Sequence, residues 1–69
     1  MEQNQAVTAL IDTLLERTQN TEVRAGAARG LGHVGGSRAR EALAKVMTER
    51  TENVDVRAAA AEALGRSVS

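Results

Sequence analysis

The sequence contains no cysteine, no proline and no phenylalanine, tyrosine or tryptophan. Without cysteine there is no disulfide to offset a small core and no thiolate metal site. A single histidine, His33, excludes a histidine-rich metal site as well. Without aromatic rings the large burial that such side chains give is missing, and no ring can stack on a nucleic-acid base. An excess of one charge is also absent. Nine Lys and Arg balance nine Asp and Glu, so the chain lacks the positive field that draws proteins to phosphate backbones. No apolar run approaches the roughly 18 residues of a membrane span, and the opening MEQNQAVTAL has no basic stretch of the secretory type. These absences lead to the expectation of a soluble cytoplasmic protein. At 69 residues it is expected to form a single domain, 1–69, with a core that supplies only about 3–5 kcal/mol net.

What is present is a set of good helix formers. Ala, Glu, Arg and Leu dominate, and polar or glycine-rich clusters at 18–22, 35–36 and 51–55 divide them into four segments. Apolar spacing predicts helices over about 4–18, 21–34, 37–50 and 54–67. The first should bury Ala6, Ala9, Leu10, Thr13, Leu14 and Arg17. The second should bury Val23, Ala27, Leu31 and Val34, with Asn20 or Thr21 as its cap and Gly35 or Gly36 ending it in a left-handed conformation. The third, capped by Ser37 with Glu41 near the capping-box position, should bury Ala39, Ala42, Leu43, Val46 and Met47. The fourth, starting at Asn53 or Asp55, should bury Val56, Ala60, Ala63 and Leu64.

The chain also repeats itself. VRAGAARGLG from Val23 returns as VRAAAAEALG from Val56, and a shift of 33 residues lays 6–36 on 39–69 without a gap. Nearly half of the aligned pairs are identical, including Glu16-Arg17-Thr18 with Glu49-Arg50-Thr51, Asn20 with Asn53, and Leu31-Gly32 with Leu64-Gly65. Both helices and the loop between them recur, and such a period marks a solenoid of helical hairpins. One hairpin cannot bury its apolar side alone, whereas two stacked copies share an interface.

The pattern V-R-A-x-A-A-x-x-L-G, with Asn three residues before it, resembles the HEAT-like repeat, in particular the short variety of phycobilisome lyases. The resemblance covers nearly the whole chain. It implies an all-α fold: a four-helix α-solenoid fragment, two antiparallel hairpins in a right-handed stack. In that pattern Arg24 and Arg57 tie neighbouring repeats through an acidic loop residue, for which Asp55 and, less closely, Glu22 are the candidates. Leu31 and Leu64 fill the space between paired helices, and Gly32 and Gly65 allow close contact near helix ends. The helix over 37–50 would line the concave side, so Arg40, Glu41, Lys45 and Thr48 are candidate partner contacts.

The two copies differ in one respect that bears on function. Val7, Ile11 and Leu15 form a second apolar stripe on the first helix, where the second copy has Arg40, Ala44 and Thr48. Each could contribute about 1.5–3 kcal/mol if buried. Read as an interface, the stripe marks a homo-oligomer or a partner helix laid on the first helix. Read otherwise, it packs on the second helix or is ordinary exposed apolar surface.

No catalytic set or metal set emerges, and no cofactor is expected. His33 sits near a helix C-terminus, which favours a cation; as a catalytic base it would need an orienting carboxylate and a nucleophile within reach, and nearby Ser37 reads better as an N-cap. G-x-G-x-x-G at 30–35 follows a helix, not the strand that a dinucleotide fingerprint requires. The acidic residues lack metal-loop spacing, and Arg29, Arg38, Arg40 and Lys45 read as a solvated face. The expected function is a non-enzymatic protein–protein interaction or scaffold module, self-associating through its N-terminal helix. The alternatives are an accessory subunit of a bilin lyase-like complex, a nucleic-acid-binding module, and an engineered or excised repeat fragment.

Overall fold

The computed structural model describes residues 2–68 and contains four helices in two layers. They are α1 (Gln3–Leu15), α2 (Thr21–Val34), α3 (Gly36–Thr48) and α4 (Val54–Val68). α1 lies beside α3, α2 lies beside α4, and α2 is the central element, packed on all three others. α1 and α4 do not meet. The molecule measures 30 × 26 × 15 Å along its principal axes.

The repeated residues explain the helix ends. α1 and α3 stop earlier than apolar spacing predicts because Glu16 and Glu49 turn extended and fold back on their own loops. Glu16 Oε1 accepts from the backbone N–H and the hydroxyl of Thr18, at 3.2 and 2.9 Å. Glu49 does the same with Thr51, at 3.3 and 3.2 Å. Asn20 then caps α2 by accepting from Glu22 N at 2.7 Å, and Asn53 caps α4 by accepting from Asp55 N at 2.8 Å. Side-chain oxygens at these positions satisfy helix-end donors that would otherwise lack partners.

The two hairpins join at Gly35, with φ of 73°, and Gly36, with φ of 86°. Both angles suit glycine, which has no Cβ to clash. Gly35 is itself the N-cap of α3, so Ser37 lies inside the first turn instead of capping it as expected. The glycine pair lets α3 start so soon after α2 that no side chain is needed at that position.

The core contains Leu14, Leu31, Leu43, Val46 and Val56, all fully buried, with alanines between them. The inward faces of α3 and α4 follow the periodic pattern. Those of α1 and α2 are rotated from it. Val7 is buried while Ala9 and Arg17 are exposed, and Val23 is 48% exposed while Arg24, Ala25 and Ala28 are buried. Small residues set the distance between α2 and α4. A Cβ on Gly32 would sit 2.8 Å from Ala63 Cβ and 2.9 Å from its Cα and carbonyl oxygen. A Cβ on Gly65, its equivalent one repeat later, would meet nothing within 4 Å.

That contrast yields opposite outcomes for one substitution. Gly32→Ala is expected to destabilise by about 1–3 kcal/mol, because backbone must move. Gly65→Ala is expected to stabilise by up to about 1 kcal/mol through helix propensity. Thermal unfolding followed by circular dichroism checks both, and equal effects would refute the packing described.

Candidate interaction surfaces

The two hairpins are held in register by a buried arginine. Arg24 is only 4% exposed, a costly position for a guanidinium unless its donors are used. Its Nε donates to the Leu14 carbonyl at 2.8 Å, near the end of α1. Its Nη2 donates to Glu52 Oε2 at 2.7 Å, in the loop of the second hairpin. Arg17 Nε approaches the same oxygen at 3.5 Å, and Arg17 Nη2 donates to Thr51 Oγ1 at 3.0 Å. Among the described residues no buried side-chain polar atom lacks a partner.

The acidic partner of the repeated arginine is therefore Glu52, neither Asp55 nor Glu22. Asp55 and Glu22 stand in the first turns of α4 and α2, exposed, with their backbone N–H groups bonded to the Asn caps. Glu52 has Gln19 as its equivalent, so the repeat does not mark it. Arg57 repeats half of the arrangement: its Nε donates to the Met47 carbonyl at 3.0 Å, as Arg24 does to Leu14.

Hydrogen bonding from Arg24 holds the Glu52 carboxyl below its ordinary value, against the opposing effect of burial, and the charges of Arg24 and Arg17 add to the lowering. Glu16 and Glu49 are lowered as well, first by their Thr18 and Thr51 backbone bonds.

A second polar contact joins the hairpins. Arg38, early in α3, donates from Nη2 to Thr8 Oγ1 at 2.8 Å and from Nη1 to Asn4 Oδ1. With Arg17–Thr51 near the other end, it shows α1 and α3 running side by side in the same direction.

This geometry relocates the second stripe. Val7 is buried in the core and Ile11 packs against it. Leu15 is 38% exposed and borders a groove shared with Lys45 and Val46 of α3 and with Glu49 just beyond it. The stripe is only partly withdrawn from solvent: Val7 is buried, Ile11 is half-buried and Leu15 stays exposed beside α3. Among the candidate partner contacts, Glu41 and Lys45 are exposed and Arg40 is half-buried. The Thr48 hydroxyl donates back to the Ala44 carbonyl at 2.9 Å. Leu31 is fully buried, while Leu64 packs at the core margin. His33 is exposed in the last turn of α2, and no cluster of potential metal ligands occurs among the described residues. No helix of the described residues is long and apolar enough to cross a membrane.

Comparing equivalent positions identifies two open faces. Leu43, Val46, Val56 and Ala63 of the second hairpin are buried, yet Leu10, Thr13 and Gly30 are only partly so and Val23 is half-exposed. Conversely Ala25, Ala28 and Gly32 of the first hairpin are buried, while Ala58, Ala61 and Gly65 are exposed. The first set forms an N-terminal face on α1 and α2. The second lies on α4 and marks a C-terminal face.

Residues 6–68 match the family model described as HEAT repeats. No curated protein and no solved structure matches the chain.

Glu52→Ala is expected to cost about 3 kcal/mol, because it leaves a buried guanidinium without its carboxylate. For a domain of this size the thermal midpoint should fall by roughly 10 °C or more. A carboxyl lowered in the folded state stabilises above its unfolded pKa, and that stabilisation is lost as pH falls through the folded value. The wild-type midpoint should therefore hold steady from neutral pH to the ordinary carboxylate value near 4.5 and drop below it. Glu52→Gln should start lower and depend less on pH, leaving the contribution of Glu16 and Glu49; an unchanged profile would remove Glu52 from this role.

Proposed function

The chain belongs to the HEAT repeat family, and on that premise we propose that it is a non-enzymatic protein–protein interaction module that self-associates through the open face of its first hairpin. HEAT repeats generally mediate protein interaction or scaffolding. The reading rests on one observation: positions whose equivalents are buried between the hairpins stand open on α1 and α2, with Val23 at 48% exposure against 0% for Val56. This face carries Ala6, Leu10 and Thr13 on α1 and small residues on α2, a surface that another helical layer can approach closely. The arginine lock makes the face rigid, so little conformational freedom is lost when it is covered.

Self-association is tested by sedimentation over a wide concentration range. The unmodified protein should show a concentration-dependent mass above that of the monomer. Val23→Lys places a charge on the open face at a half-exposed position and should return the protein to monomer with its helical circular dichroism intact. A monomer at every concentration would refute self-association. A variant that still associates would move the contact off this face. Val7 is unsuited to this test, because its burial makes loss of folding the expected result of a polar substitution.

A further inference from the structure

The C-terminal face repeats one side of the lock without the other. Arg57 is half-buried and fixed through Nε to the Met47 carbonyl, in the same relation that aims Arg24 at Glu52. Among the described residues its terminal nitrogens meet no carboxylate. Arg50, the equivalent of Arg17, stands exposed in the loop that precedes α4. At the other end of α3, Ser37 and Glu41 occupy the positions of Asn4 and Thr8, the two acceptors for Arg38. The face therefore offers two cations at one end and an acceptor pair, one of them a carboxylate, at the other.

We propose that this C-terminal face docks a helical hairpin of a partner chain with complementary charge: a carboxylate in its interhelical loop and a basic side chain in the first turn of its first helix. The inference deepens the interaction reading above and rests on it. The geometry is that of the lock already formed between the two hairpins, moved on by one repeat. A second copy does not meet the specification. Its own N-terminal face has Gln19 where Glu52 stands and Gln5 where Arg38 stands, so both charged contacts are replaced by neutral amides. Gln5 instead accepts from Glu2 N at 3.4 Å. The charged contacts weigh more here than between the hairpins, because Arg40, Ala44 and Thr48 replace the apolar Val7, Ile11 and Leu15 along the seam.

The protein itself provides a probe. Gln5→Arg and Gln19→Glu give its N-terminal face the specified charges, and Gly65→Leu in the same chain closes its own C-terminal face. Gly65 tolerates the side chain in the monomer, since a Cβ there meets nothing within 4 Å. This triple variant is mixed with the Val23→Lys protein, whose C-terminal face is native. Sedimentation is expected to show a 1:1 complex that weakens as salt is raised. Binding should fall at least about tenfold when the probe keeps Gln5 and Gln19, and vanish when Gly65→Leu is added to the Val23→Lys partner. No complex between chains that both keep their helical circular dichroism would overturn the proposal. Equal binding by the probe that keeps both glutamines would also overturn it, by showing that a second copy docks through shape alone. Self-association of the unmodified protein is measured separately, so failure of this docking is distinguished from failure of self-association.

Discussion

The fold depends on how one guanidinium is satisfied. Arg24 is buried where the two hairpins meet, and its donors reach into both: the carbonyl of Leu14 within its own hairpin and the carboxylate of Glu52 in the next. Burying such a pair brings little net stability by itself, because desolvation offsets the attraction. What it adds is register. Alanine and leucine surfaces pack acceptably at neighbouring offsets, whereas a buried guanidinium tolerates only the arrangement that supplies its acceptors. In a core of small side chains without a single aromatic ring, this contact specifies the stacking that apolar burial alone would leave loosely defined.

The sequence made much of this legible for a physical reason. A structural role that each repeat performs for itself must appear twice. The Glu-Arg-Thr triplets that end α1 and α3, the asparagine caps and the arginines closing each hairpin all recur, and so the repeat announced them. α2 was readable to the residue because a cap precedes it and glycines follow. A contact between repeats needs its partner only once in a chain of two, and Glu52 opposite Gln19 carries no mark of repetition. Asp55 is one turn away and acidic, and only the fold distinguishes the two.

The apolar stripe of Val7, Ile11 and Leu15 was illegible for a different reason. Helical periodicity identifies which side chains share a face but not what covers it. In a solenoid a helix has two buried flanks, one toward its own hairpin and one toward the next, so a second stripe is equally the signature of a partner protein or of the following repeat. Here Val7 belongs to the core and Ile11 packs against it, while Leu15 borders a groove with α3. The same ambiguity misplaced Val23, which the apolar spacing of the second helix put on its buried side. Identical residues at the two ends of a stack occupy different environments, and exposure at those positions separates the surface that is used from the surface that is open.

The nearest-neighbour architecture also constrains how the chain acquires its structure. α1 and α4 do not meet, and among the described residues the side-chain hydrogen bonds between Arg17, Arg24 or Arg38 and the other hairpin span 28 to 34 residues. Each hairpin closes over a loop of a few residues, and Gly35 brings the second hairpin onto the first almost without a linker. Little loop entropy is lost before contacts form, and chains dominated by such local contacts fold in microseconds to milliseconds. The hairpins emerge one after the other during synthesis, but the first gains its buried interface only when the second stacks on it. Arg24 thus waits for Glu52, and pairing the two completes both hairpins together.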